Sequence, residues 1–212
     1  MLRIGLFASV LLLGSAASAM ACEGQAGNVI FNDDFADDSG GWDMAGAGLK
    51  ITPPAMQLTL DKQTSGVVAH NLTFNATDGD YCAEFVLPQQ VGNNRIGFGI
   101  EFWAADYNNL MIFYVNSDKT ANLYKRTAGA WSGIFSDLPA AALKVEPDAV
   151  NSIRVLALAG KLTLSVNGQT VKVVRAQVPA GNLRFGMEAQ TDTGPEAPLV
   201  VNVKSYNVTT GQ

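Results

Sequence analysis

Apolar and polar residues alternate with a period of two along most of this chain. Ile96, Phe98, Ile100 and Phe102 alternate with Gly97, Gly99, Glu101 and Trp103. Leu183, Phe185, Met187 and Ala189 alternate in the same way with Arg184, Gly186, Glu188 and Gln190. Successive side chains of a strand point to opposite faces, so both segments read as strands with one bulky apolar face. Their other face carries glycine, glutamate and arginine. A third signal runs from residue 151 to 174. Ile153, Val155 and Ala157 are followed by an Ala159-Gly160 turn, then Leu162, Leu164 and Val166, an Asn167-Gly168 turn, and Val171 with Val173. Asn-Gly suits a type I′ turn because both central positions need positive φ, and the segment reads as a β-meander.

Further strands are predicted over 49–51, 57–60, 66–70, 81–87, 110–116, 122–126 and 199–208, with Asn/Asp/Gly-rich turns between them. After Cys22 no window sustains helical spacing, and Ala140 to Leu143 is at most one turn of helix between Pro139 and Pro147. About a dozen short strands without helices can bury their apolar faces only against one another. The expectation is an all-β, two-sheet antiparallel sandwich forming a single domain over residues 22–212.

The first 21 residues follow a different plan: Arg3 near the start, an apolar run over 4–13, and small residues up to Ala21. That is the layout of a secretory signal peptide, and the run is too short to be a membrane-spanning helix. Cleavage after Ala19 or after Ala21 fits, and the second leaves Cys22 first. Cys22 and Cys82 are the two cysteines of the chain. An exported chain can pair them in an oxidising compartment; the alternative is a lipid anchor on Cys22, although the position three residues earlier is Ala19 rather than leucine.

Composition removes several classes of function. One histidine and two cysteines cannot make a multi-histidine or four-cysteine metal site. A net charge of −5 with no basic cluster argues against a nucleic-acid partner.

Three stretches carry a resemblance. They are Phe31-Asn32-Asp33-Asp34-Phe35 through Gly40-Gly41-Trp42; Gly97 to Phe102 with Asp106-Tyr107-Asn108-Asn109-Leu110 and Gly129-Ala130-Trp131; and Asn151 to Val155 running into Lys161 to Gly168. Their order resembles the concanavalin A-like jelly-roll superfamily, in particular laminin G-like modules and the group known as 3-keto-disaccharide hydrolase or family 16-like glycoside hydrolase domains. The resemblance implies a jelly-roll sandwich that holds sugar on a concave sheet and its rim, sometimes with calcium. The paired-carboxylate strand of family 16 glucanases, Glu-x-Asp-x-x-Glu or Glu-x-Asp-x-Glu, does not occur here.

If the two alternating strands share a sheet, their polar faces form a shallow groove floored by glycine; an ordinary solvated face is the alternative. Sugar recognition combines aromatic platforms with hydrogen-bonding groups. Arg95, Trp103, Tyr107, Asn109, Tyr114, Tyr124, Arg126, Trp131 and Arg184 are the candidates, while Trp42 reads as core. Glu101 and Glu188 have matching phase and are the catalytic pair if the protein is an enzyme, with Glu84 as a third carboxyl. Asp33 and Asp34 are candidate calcium ligands in an acidic run, and His70 alone supplies one metal ligand at most. A carbohydrate-binding jelly roll leads, ahead of a glycoside hydrolase or lyase and of a non-catalytic interaction or cell-envelope module.

Overall fold

The computed structural model describes residues 22–88 and 94–211; the signal-peptide reading falls outside them. Among the described residues, fourteen strands form two antiparallel sheets. The larger contains β1 (Val29–Asp33), β2 (Leu49–Thr52), β3 (Ala55–Leu60), β5 (Gly79–Val86), β10 (Val150–Leu158), β11 (Lys161–Val166), β12 (Gln169–Arg175) and β14 (Leu199–Thr209). Its order is β12-β11-β10-β5-β14-β3-β2, with β1 pairing β14. The smaller contains β4 (Gly66–His70), β6 (Ile96–Asp106), β7 (Asn109–Asn116), β8 (Thr120–Thr127), β9 (Ala130–Pro139) and β13 (Arg184–Thr191), in the order β4-β13-β6-β7-β8-β9. The chain crosses repeatedly between the sheets, as a jelly roll does.

The core lies between them. Ile96, Phe98, Ile100 and Phe102 of β6 and Phe185, Met187 and Ala189 of β13 are fully buried, as their alternation predicts. They face Tyr81, Ala83 and Phe85 of β5 and Ile153, Val155 and Ala157 of β10, also fully buried. Each of the large aliphatic and phenylalanine side chains among them contributes roughly 1.5–3 kcal/mol through removal from water. The meander forms as predicted: Ala159-Gly160 and Asn167-Gly168 all have positive φ, the requirement of a type I′ turn.

Cys22 and Cys82 are joined in a disulfide with Cα atoms 5.9 Å apart and a sequence separation of 60. A loop of that length stabilises the fold by about 4 kcal/mol in the chain-entropy account. The sulfur of Cys22, so bonded, is not free to carry a lipid. Beside it, Arg154 holds the buried Asp80 carboxylate with two 2.7 Å hydrogen bonds and donates to the carbonyls of Glu23 and Gly24. These bonds fasten the start of the described chain to β5 and β10.

Two features depart from the sequence expectation. β9 was not predicted, because it is an edge strand exposed along nearly its whole length and shows no alternation. Its register shifts twice against β8, and Asp137 has φ 55°. The second departure is Trp103. The β6–β7 register shifts between Phe102 and Asp106, and Trp103 sits there at φ 51°. This bulge reverses the alternation, so Trp103 joins Phe102 in the core, fully buried, with its indole N–H donated to the carbonyl of Thr77. Trp103 is therefore a structural residue and not a ligand platform.

Candidate functional site

The outer face of the smaller sheet is built in rows that run across the strands. One row sets His70 of β4, Gly186 of β13, Glu101 of β6, Ile112 of β7 and Tyr124 of β8 side by side. The next sets Glu188, Gly99 and Tyr114 in line, and a third Gln190, Gly97 and Asn116. Each row thus carries a glycine between larger side chains, and the neighbours fill the space that it leaves. A Cβ on Gly186 would lie 2.6 Å from the carbonyl oxygen of Ala69 and 2.7 Å from Cδ2 of His70. A Cβ on Gly99 would lie 2.5 Å from Cα of Tyr114. The glycines are needed for close approach between strands and side chains, and the open floor that the sequence suggested is already occupied.

The consequence is clearest at Gly186. Strands two apart in a sheet are separated by roughly 9.5 Å, so His70 and Glu101 meet only by reaching over the strand between them. With no side chain at Gly186, the imidazole lies across β13 and its Nε2 contacts Oε2 of Glu101. Glu101 in turn shares a hydrogen bond with Glu188. His70 and Glu101 are each only 1% exposed, whereas Glu188 is partly open to the outer face. Tyr107, on the hairpin after β6, closes the far side. Its ring stacks on the imidazole with centroids 4.1 Å apart and planes 7° from parallel, and its hydroxyl donates to Oδ2 of Asp43 at 2.8 Å. Asp43 is held below the usual carboxylate range by that hydrogen bond first.

Burial dominates the electrostatics. It presses His70 down to about 4, with Arg184 adding to the effect, and pushes Glu101 up to about 8 against the opposing pull of its bond to Glu188 and of Arg126. Glu188 is raised well above the ordinary value, by burial and then by the charge of Glu101. At neutral pH the imidazole and Glu101 are therefore uncharged, and Glu188 is biased in the same direction.

Beside Glu188 opens a cleft of about 310 Å³, lined by Ile112, Tyr114, Tyr124, Trp131, Glu188 and Gln190. The rings of Tyr114 and Tyr124 are near-parallel with centroids 6.0 Å apart, and Trp131 stands edge-on to Tyr124. Trp131 is 48% exposed, and the Arg126 guanidinium lies 5.2 Å from its ring centre. Arg126 is fixed by donating to the carbonyls of Tyr107 and Gly129.

Of the sequence candidates, the structure brings together Glu101, Glu188, Tyr114, Tyr124, Arg126 and Trp131, with Tyr107 and Arg184 at the His70 end. Others fall away. Arg95 is ion-paired with Asp118 and Asp137 and serves the turns around them. Asn109 is spent on Asp106 and the backbone N–H of Ala128. Glu84 belongs to the other sheet, where it accepts from Ser205. Asp33 accepts from the backbone of Phe35 and the indole of Trp42, and Asp34 from the backbone of Ala36. Both act as structural turn acceptors, and among the described residues no group of three acidic, histidine or cysteine side chains could hold a metal ion. His70 was missed as part of the site. The one available signal was its place at the end of a short strand, and that says nothing about which strand lies beside it.

No protein-family model and no curated protein sequence matches the chain. Solved structures do match in fold. Carbohydrate-binding module CBM66 from Bacillus subtilis is 15% identical, with a TM-score of 0.60 over 80% of this chain and 94% of its own. A β-glucanase of Bacillus licheniformis is 13% identical, TM-score 0.59, over 87% and 99%. The catalytic domain of an endo-1,3-β-glucanase (laminarinase) from Thermotoga petrophila is 10% identical, TM-score 0.62, over 87% and 98%. The chain shares the concanavalin A-like jelly-roll sandwich with them.

Proposed function

We propose that this protein binds carbohydrate on the outer face of its smaller sheet, with the cleft beside Glu188 as the sugar subsite. The observation that carries this reading is the pairing of an exposed indole with hydrogen-bonding groups in one cleft. Trp131 and Tyr124 offer aromatic surface to the C–H face of a pyranose, while Glu188 and Gln190 meet its hydroxyls. The fold neighbours support it, since they include a carbohydrate-binding module and two glucanases. The Cys22–Cys82 disulfide and the amino-terminal pattern support an exported protein.

A second reading, hydrolysis or elimination at a glycosidic bond, draws support from the raised carboxyl pair on the same face. Its geometry is less favourable. Paired-carboxyl hydrolysis needs groups about 5–5.5 Å apart for retention or about 6.5–9.5 Å for inversion. Glu101 and Glu188 are instead hydrogen-bonded to each other.

A panel of β-1,3-glucan, mixed-linkage β-glucan and mucin O-glycan oligosaccharides, scored for both binding and product, separates the readings. Binding without product is expected, and Trp131→Ala is expected to weaken it by about 2 kcal/mol, roughly thirtyfold. Product release that disappears in Glu188→Gln would establish the second reading. Silence throughout the panel in folded protein would contradict both for these sugars.

A further inference from the structure

We infer that Glu188 is the one carboxyl this cleft offers its ligand, and that Glu101 and His70 form a buried positioning pair that fixes its orientation and its proton. The inference rests on the cleft beside Glu188 being the binding site. It assigns unequal roles to two carboxyls that the sequence pattern presents as equivalents.

The geometry makes the distinction. Glu188 lines the cleft and Glu101 does not, because the latter is 1% exposed beneath the His70 imidazole and the Tyr107 stack. The contacts cross the middle strand and return to it: Nε2 of His70 on β4 to Oε2 of Glu101 on β6, and Glu101 to Glu188 on β13 between them. A buried carboxyl that is hydrogen-bonded at both ends cannot turn toward a ligand without leaving a partner unsatisfied.

The charged and titratable surroundings agree with a held proton. Glu188 is faced by Glu101 and His70, by Arg126 of β8 and by Tyr114 of β7. His70 is faced by Arg184 of β13, by Asp43 and by Asp106. Arg126 is directed to two backbone carbonyls and lowers the carboxyl pair less than burial raises it. Two carboxyls in contact do not both ionise at neutral pH, and the buried neutral imidazole supplies no counter-charge. Glu188 therefore presents a neutral carboxyl, which pairs with hydroxyls and offers no charge to an ammonium group.

The test uses ligand-free protein, so it is independent of whether any sugar binds. In protein carrying 13C at the glutamate carboxyls, the Glu188 signal is followed against pH in wild type and in Glu101→Gln. The glutamine keeps the size of the side chain and a hydrogen-bonding group. Expected is a wild-type midpoint well above the ordinary carboxylate range that falls by about one pH unit or more once the neighbouring charge is removed. His70 is the one histidine of the chain, so its 15N imidazole signals need no assignment. They are expected to report a neutral ring down to about pH 4. A Glu188 midpoint in the ordinary carboxylate range, or one unmoved in Glu101→Gln, overturns the inference. So does an imidazole that titrates as a free histidine, which wild type alone reveals if the variant does not fold.

Discussion

Trp103→Ala is expected to destabilise the fold by about 3–5 kcal/mol, the range for truncating a large buried aromatic side chain. Trp103 is fully buried, its ring meets that of Phe102 edge-on at 5.5 Å, and its indole N–H donates to the carbonyl of Thr77. Truncation empties that volume and removes the hydrogen bond to the Thr77 carbonyl, and both effects have the same sign. Urea unfolding measures the loss directly. The same substitution at Trp131, 48% exposed on the edge strand β9, is expected to change stability by less than about 0.5 kcal/mol. The two tryptophans look alike in sequence, so the contrast is diagnostic. A loss below about 1 kcal/mol in Trp103→Ala would return that residue to the surface.

Stability is expected to fall as pH rises from about 5 to 9, and Glu101→Gln is expected to flatten much of that fall. The sign follows from proton binding. Glu101 titrates near 8 in the folded protein and near 4.5 when unfolded. Between those values the folded state holds a proton that the unfolded state has released, so raising pH favours unfolding. Glu188, raised for the same reason, adds in the same direction. His70, lowered from 6.5 to about 4, acts oppositely and only on the acid side: stability falls as pH drops from 6.5 toward 4. Above 6.5 the carboxyls act alone among these three. At pH 9 the glutamine variant is expected to exceed wild type by about 3 kcal/mol, or roughly 6–12 °C in Tm. Thermal melts of the two proteins at pH 5, 7 and 9 measure it. Parallel curves would show that Glu101 is not buried as a neutral acid.

Local alternation carried most of the fold. β6, β13 and the first two strands of the meander bury the faces that their sequence marks as apolar, whereas the third, β12, leaves Val173 exposed; both meander turns show the positive φ that their residues imply. Where local pattern ends, legibility ends with it. β9 is an exposed edge, so nothing buried imprints a period on it. Trp103 is inverted by a bulge that no residue type announces. The aromatic and carboxyl residues of the site were legible as chemistry, since Glu101, Glu188, Tyr124 and Trp131 are conspicuous on polar faces. Their arrangement was not. His70 meets Glu101 only because β4 and β6 flank β13 and because the intervening position is Gly186, a fact of long-range pairing. The same pairing separates Glu188, which reaches the cleft, from Glu101, which lies beneath it.

The central claim is that the outer face of the smaller sheet holds the ligand, and its most direct test is an amide and indole NMR titration with an oligosaccharide that binds. The chain has three tryptophans, hence three indole N–H signals. Those of Trp42 and Trp103 are donated to Asp33 and to the carbonyl of Thr77. The account predicts that the Trp131 indole moves on titration together with the amides of Tyr114, Tyr124 and Glu188, while the other two indoles stay in place. Shifts confined to β5, β10 and β11 of the larger sheet, with Trp131 unmoved, would contradict it.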